Sequence, residues 1–248
     1  ERVVWSAGLF VAYVATAKLG LALDPVGGFA TLVWPPTGIA LAALARRGTG
    51  LWPAVTLAAF AANLWTGAPV AACAGIAIGN TLEAVIGARV LRRGQESAGP
   101  IASLRHAVAL LAGALASPVV AASSGVASLW ATGVITAAQL GTAWQAWWLG
   151  DVLGALVVAP VLLNWGGERT APERARRRPA MSRLLELGLL VLGVLASAAV
   201  SFSGDPTAPL RRPHMIFPTL IWAAIRFGPG VTALAVFVIS AIAIAITA

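Results

Sequence analysis

Charged residues are scarce in this sequence, and so are cysteine and histidine. Charged residues make up 10% of the 248 positions, whereas 59% are hydrophobic. A soluble domain typically has about 25% charged residues, so the composition excludes an ordinary soluble globular protein. The single cysteine, Cys73, excludes an intrachain disulfide bond. The two histidines, His106 and His214, are too few for a histidine-based metal centre, and we expect no metal site.

Sequence motifs of the common enzyme classes are also missing. The chain has neither an HExxH zinc motif nor a Walker loop. Gly150 and Asp151 resemble half of an intramembrane aspartyl protease motif. However, Trp148 stands at the position of the earlier glycine, and a second mid-span aspartate is missing. We therefore expect that the chain is not an enzyme, and the sequence identifies no cofactor.

Long apolar runs are what the sequence does contain. A transmembrane helix needs about 20 predominantly apolar residues. Two of the apolar regions are too long for one straight helix, and they are interrupted by Ser117-Pro118 and by Gly228-Pro229-Gly230. We predict an all-α, polytopic transmembrane helical bundle with some broken or re-entrant helices. The apolar regions are 3–23, 29–45, 51–65, 70–91, 101–140, 144–165, 184–202 and 214–248.

Basic residues lie between the apolar regions and give the chain a formal net charge of +8. Twelve of the seventeen fall into three groups, at Arg46 and Arg47, at 89–105 and at 169–183. Arginine clusters between apolar runs are typical of cytoplasmic loops. A basic face suited to a nucleic-acid groove is absent from the pattern, so we predict that the chain does not bind nucleic acid.

The positions of the basic groups also limit the number of membrane crossings, because an even number must separate two cytoplasmic loops. The pattern predicts about eight crossings with both termini in the cytoplasm, and region 101–140 then crosses once as a broken or re-entrant helix. Ten complete helices, with one loop that violates the charge rule, is the alternative. We expect one membrane domain over residues 1–248, with segment 166–183 as a cytoplasmic linker.

Polar residues inside apolar spans are costly in lipid, so they are candidates for a functional site. Asn80 and Glu83 are three residues apart and share one helix face. Trp144, Trp148 and Asp151 have the spacing i, i+4 and i+7, which places them on one stripe of a helix. Glu83 and Asp151 could fix a polar group or a cation, and the tryptophan faces could stack on an aromatic or cationic ligand. A purely structural alternative is that the two carboxylates pair with arginines between helices.

A break near the start of the second apolar region is the most unusual feature of the chain. Pro35 and Pro36 remove two backbone donors, and they disfavour helical backbone at Trp34. A new helix begins after the prolines, and the amino-terminal end of a helix attracts anions and polar groups. We predict that Trp34, Pro35 and Pro36 help to form a ligand cavity together with the polar residues of the spans.

Several short motifs are spread over nearly the whole sequence. They are Val33-Trp34-Pro35-Pro36-Thr37-Gly38-Ile39-Ala40-Leu41, Leu51-Trp52-Pro53, Asn63-Leu64-Trp65-Thr66-Gly67, Gly79-Asn80-Thr81-Leu82-Glu83-Ala84, Trp147-Trp148-Leu149-Gly150-Asp151 with Gly154 and Pro160, Phe217-Pro218, Ile221-Trp222-Ala223-Ala224 and Arg226-Phe227-Gly228. Together they resemble the MASE1 family of bacterial integral membrane sensor domains, and their order along the chain is that of the family. Each motif is weak alone, but the combination is specific.

The resemblance implies a sensory input domain of a bacterial inner membrane with about eight spans. Domains of this family are found at the amino terminus of histidine kinases, diguanylate cyclases and phosphodiesterases. The expected partners are therefore the lipid bilayer, a small-molecule ligand and a cytoplasmic kinase or cyclase output module, and a homodimer is a further option. The 248 residues contain no kinase, cyclase or PAS motif, so the sequence does not identify the output module, and it names no ligand.

Two other functions stay open at this point. Broken helices and acidic residues within spans are also typical of transporters, so a transporter-like solute-binding membrane protein is the alternative to a sensor. The sequence shows no internal repeat of the kind common in transporters. A scaffold that senses through another membrane protein is a third option, in which small-residue faces such as 71–79 would pack against the partner.

Overall fold

The computed structural model describes residues 1–22, 33–93, 101, 103–165, 180–202 and 213–247. Over these ranges the regular secondary structure is entirely helical, which confirms the predicted all-α fold. The chain divides into two compact units. Unit 1 comprises Glu1–Gly99 and Ser103–Leu163, and unit 2 comprises Pro100–Ala102 and Asn164–Ala248. The predicted linker 166–183 lies mostly outside the described residues, and its last four residues begin a helix of unit 2.

Helices in the first part of the chain are numbered α1 to α7. They are α1 Arg2–Ala22, α2 Pro35–Arg47, α3 Trp52–Trp65, α4 Val70–Arg93, α5 Leu104–Ala116, α6 Pro118–Ala131 and α7 Leu140–Asn164. Single 3₁₀ turns at Thr49–Leu51 and Ala137–Gln139 precede α3 and α7. Unit 2 contains α8 Ala180–Phe202, a 3₁₀ turn at Pro213–Met215, α9 Ile216–Phe227 and α10 Pro229–Thr247.

Helices α5 and α6 form one interrupted span. Ser117 between them keeps helical backbone angles, with φ −69° and ψ −36°, and its hydroxyl donates to the Gly113 carbonyl oxygen at 2.8 Å. Pro118 lacks a backbone donor, so the regular hydrogen-bond ladder is broken at this point. The combined helix Leu104–Ala131 has 28 residues and is apolar enough to cross a membrane. This agrees with the prediction that region 101–140 contributes one broken crossing.

Six helices of the described chain are long and apolar enough to span a membrane. Helices α2, α3 and α9 have 13, 14 and 12 residues. At the helical rise per residue they extend about 18–21 Å, which is less than the hydrocarbon thickness of about 30 Å. The described residues therefore include six helices long enough to span a membrane and three shorter ones, and the predicted count of eight crossings is approximate.

One end of unit 1 carries several arginines from different helices. Arg2 Nη2 donates to the Gly50 carbonyl oxygen at 3.0 Å, and the Arg47 guanidinium lies 3.7 Å from the centre of the Trp5 ring. Arg46 Nη1 donates to the carbonyl oxygen of Leu162 near the end of α7, at 2.8 Å. Thus α1 and α3 begin at this basic end, whereas α2 and α7 finish there.

The opposite end of unit 1 is marked by a cation–π contact between the carboxyl-terminal parts of α1 and α3. Lys18 Nζ lies 3.0 Å from the centre of the Trp65 ring. Helix α4 returns from this end and finishes with Arg92 close to Gly48. Two helices therefore separate the first two arginine groups, as the even-crossing rule requires.

Unit 2 is built from an antiparallel pair of helices and a third helix packed on both. Arg226 of α9 binds Glu186 of α8 through two hydrogen bonds of 3.0 and 2.5 Å, and Thr219 lies beside Gly193. Gly228 has a φ of +84°, which ends α9 and lets α10 fold back. The shared core is formed by Leu190, Val194, Ala198, Ala223, Ala235 and Ile239.

This arrangement differs from the sequence prediction for residues 214–248, which was a single broken crossing. The structure has two helices that pack side by side. The physical reason is the left-handed backbone at Gly228, since a kinked but continuous helix would keep right-handed angles.

Candidate functional site

Helix α2 begins inside unit 1, against the middle of α7. Trp34 precedes α2 with non-helical angles of φ −106° and ψ 89°, and its backbone N–H donates to the Gly150 carbonyl oxygen at 2.9 Å. A Cβ atom at Gly154 would overlap the Trp34 carbonyl oxygen, and a Cβ atom at Gly38 would overlap the Gly154 carbonyl oxygen. Glycine at both positions permits this close approach. The non-helical backbone is thus buried against protein, as lipid requires.

The amino-terminal end of α2 faces an aspartate of α7. Pro35 and Pro36 occupy the first two helical positions, where the missing N–H groups have no helical partner in any case. Thr37 follows them, and its hydroxyl donates to Asp151 Oδ1 at 2.7 Å. Because the helix dipole places partial positive charge at this end, α2 stabilises negative charge on Asp151.

Glu83 of α4 lies close to the same position. Its exposed fraction is 2%, and that of Asp151 is 1%. Thr37 interacts with both side chains, and the two carboxyl groups are near enough to interact electrostatically. Among the described residues, Glu83 Oε1 and Asp151 Oδ2 have no hydrogen-bond partner, and neither carboxyl group has an ion-pair partner. The structural alternative, in which arginines pair with these carboxylates, is therefore not seen in this part of the chain.

Two further polar side chains complete the cluster. Asn80 Nδ2, one helical turn before Glu83, donates to the hydroxyl oxygen of Tyr13 on α1 at 3.0 Å. Tyr13 is buried, and its hydroxyl group interacts with both carboxyl groups. Asn80 Oδ1 finds no partner among the described residues. We call the five residues Tyr13, Thr37, Asn80, Glu83 and Asp151 the acidic site.

Four of the five residues of the acidic site, all except Asp151, border a narrow cleft in unit 1. Helices α1, α2, α4 and the α5–α6 junction contribute its walls. The cleft is too narrow to admit a water molecule, so in this conformation it excludes an organic ligand. Its lining residues are Tyr13, Thr37, Ala40, Leu41, Asn80, Glu83, Ala84 and Ser117.

The comparison with known protein families matches almost the entire sequence. The family model for MASE1 matches residues 5–248. The chain belongs to the MASE1 family. Because MASE1 is a family of membrane-associated sensory domains and not a catalytic family, the chain is a membrane sensor domain. No curated protein and no solved structure matches this sequence.

In this MASE1 domain, Trp144 and Trp148 lie away from the acidic site, although helical spacing placed them on one stripe with Asp151. Trp144 and Trp148 stack on each other, with ring centres 6.1 Å apart and planes 8° apart. Trp144 Nε1 donates to Ser123 Oγ at 3.1 Å, and Trp148 Nε1 donates to the Leu115 carbonyl oxygen at 3.0 Å. Both rings therefore anchor α7 to the α5–α6 helix, and neither borders the cleft.

The neighbouring Trp147 is the α7 tryptophan that reaches the acidic site. Its side chain is buried, and its indole group interacts with the Asp151 carboxyl group one turn later. The ring packs against Gly125 of α6, where a Cβ atom would lie 2.7 Å from it. Trp147 therefore supports Asp151 from the side of α6.

The structure brings together four of the residues proposed from sequence, namely Trp34, Asn80, Glu83 and Asp151, and Pro35 and Pro36 set the start of α2 beside them. Sequence reasoning missed Tyr13, Thr37 and Trp147. Tyr13 had one available signal, since it is the only tyrosine in the chain. Thr37 directly follows the two prolines, at the position where a helix start exposes its donors.

Proposed function

We propose that this MASE1 domain detects its signal at the acidic site and transmits it to a cytoplasmic kinase or cyclic-di-GMP enzyme. The observation that carries the proposal is the pair of buried carboxyl groups without an ion-pair partner in the described chain. Uncompensated charge in a membrane interior is expensive. Such groups are therefore candidates for binding and switching.

Helix α2 is the element suited to carry the signal. Its first turn contacts the acidic site through Thr37, and Arg46 in its last turn contacts the end of α7. A change of charge at the site alters the stability of the contact between Thr37 and Asp151. If two packings of α2 differ in this contact, a ligand shifts the population between them in proportion to its differential affinity.

The basic end of unit 1 is proposed to face the cytoplasm of a bacterial cell. The support is the arginine cluster at this end, which follows the positive-inside rule. The amino terminus then lies in the cytoplasm. A cytoplasmic carboxyl terminus stays a prediction, since α10 folds back along α9 and so changes the crossing count of unit 2.

A transporter-like function is the second candidate. It is favoured by the short helix α2, whose amino-terminal end lies inside the bundle beside charged residues, as in transporters with discontinuous helices. Uptake of candidate solutes into proteoliposomes tests it, because a pure sensor domain produces no uptake.

The sensor proposal is tested by joining the chain to a diguanylate cyclase module and measuring cyclic-di-GMP in cells. We expect Glu83→Gln and Asp151→Asn to change the output several-fold at equal amounts of protein in the membrane. The control is Glu1→Gln, which makes the same chemical change at an exposed residue outside the acidic site and should leave the output within about twofold. If all three variants match the parent chain, the acidic site is not the sensing site.

A further inference from the structure

Three buried oxygen atoms of the acidic site have no hydrogen-bond donor among the described residues. Asn80 Oδ1, Glu83 Oε1 and Asp151 Oδ2 are enclosed by protein, and none receives a hydrogen bond from a described residue. All three are acceptors, and ionised carboxylates have no donor of their own. The amide nitrogen of Asn80 is already committed to Tyr13. The described part of the chain therefore leaves the site short of positive charge or donors, rather than of acceptors.

The neighbouring basic side chains do not supply this charge. Lys18 of α1 lies over Trp65 at the opposite end of unit 1. Arg46 and Arg47 of α2 contact Leu162 and Trp5 at the basic end. The positive group that the described chain does provide is the amino-terminal end of α2, which is worth about half an elementary charge. When both carboxyl groups are ionised, their negative charge exceeds the positive charge that the described chain provides at the site.

The chemistry and size of the site restrict which cation can balance its negative charge. Carboxylate and amide oxygens are the ligands preferred by hard cations. Mg²⁺ keeps several of its water molecules when it binds protein, and the cleft is too narrow to admit even one. An organic amine is larger still. Ca²⁺ is close to Na⁺ in size, but it takes about six to eight oxygen ligands, more than the three unpartnered oxygens of the site. A small monovalent metal ion that has shed its water satisfies both conditions.

We infer that the acidic site binds one dehydrated Na⁺ ion, held by the side-chain oxygens of Asn80, Glu83 and Asp151. This inference rests on the proposed function, since it assigns the ligand of the sensing site. The hydroxyl oxygens of Thr37 and Tyr13 lie against the same groups and offer further ligands. Bound Na⁺ ties α4 to α7, so it favours the packing in which α2 is seated on Asp151.

Thermal unfolding of the purified full chain in detergent tests the inference. NaCl is exchanged for N-methylglucamine chloride at constant ionic strength and pH. A ligand that binds the folded state alone raises its stability with concentration. We expect a saturable rise of Tm, by about 5 °C when Na⁺ reaches a hundred times its Kd. Potassium, being larger, should produce a smaller rise.

Variants separate specific binding from a general salt effect. Glu83→Gln supplies an amide donor in place of the missing charge, so we expect a folded protein whose Tm no longer depends on Na⁺. The control Glu186→Gln should keep the full response, and equilibrium dialysis with radioactive Na⁺ should give one site per parent chain. The inference is overturned if the Glu83→Gln variant and the parent chain respond equally. It is also overturned if Tm follows pH alone, because the balancing ion is then a proton.

Failure of the Na⁺ assignment and failure of the proposed sensing function give different results in these two assays. If the acidic-site variants change cyclic-di-GMP output while Na⁺ neither binds nor stabilises the chain, the sensing site stands and the assignment of its ligand falls. If Na⁺ binds but the same variants leave output unchanged, the ion has a structural role and the proposed sensing function falls.

Discussion

The close approach of Trp34 to α7 predicts that Gly154→Ala destabilises the domain. The added methyl group overlaps the Trp34 carbonyl oxygen, so the α2 entrance has to move away from α7. Overpacking costs about 1–3 kcal/mol, and losing the 2.9 Å hydrogen bond from Trp34 to Gly150 costs about 1 kcal/mol more. Alanine regains about 1 kcal/mol of helix propensity. The expected net loss in the free energy of unfolding is about 1–3 kcal/mol.

Reversible unfolding in mixed detergent micelles measures this loss. The matched control is Gly141→Ala on the same helix, because no atom lies within 4 Å of a Cβ atom at that position. We expect the control to be as stable as the parent chain or more stable by up to about 1 kcal/mol, the gain in helix propensity alone. Equal stability of the two variants would refute the close packing of the Trp34 backbone on α7.

Three more predictions concern the acidic site and the orientation of the bundle. Thr37→Val removes the donor to Asp151 and should destabilise the domain by about 1–3 kcal/mol, whereas Thr37→Ser should retain most of the stability; the same unfolding assay compares them. Tyr13→Phe leaves a buried amide without its acceptor and should cost about 1–3 kcal/mol, so an unchanged midpoint would count against the described contact. Reporter fusions should place Gly48 in the cytoplasm and Gly67 outside it, and a fusion at the carboxyl terminus decides between an even and an odd number of crossings.

The helical breaks and the mid-span acids could be predicted from sequence, because each has a local cause. Proline removes a backbone donor wherever it stands, which is why the interruptions at Pro35 and Pro118 were visible. A carboxylate within an apolar run is costly in any membrane, so Glu83 and Asp151 could be singled out without knowing the fold.

The remaining features depend on which helices pack against each other. Local sequence patterns do not specify contacts between helices that are far apart in the sequence. Helical spacing placed Trp144 and Trp148 on one stripe with Asp151, yet Trp147 is the α7 tryptophan whose indole group interacts with the Asp151 carboxyl group. Tyr13 reaches the acidic site from a helix 67 residues away in sequence from Asn80. The reversal at Gly228 likewise depends on α10 packing against α8.

In the proposed mechanism, α2 couples the acidic site to the basic end of unit 1. Pulsed electron spin resonance measures this coupling, with spin labels at Arg47→Cys and Arg93→Cys in a Cys73→Ala background. These two positions are exposed at the ends of α2 and α4. Between the Asp151→Asn variant and the unchanged acidic site we expect the distance to shift by about 2 Å or to redistribute between two values, the size of helix movements in other switches. Identical distance distributions would show that α2 does not respond to the acidic site.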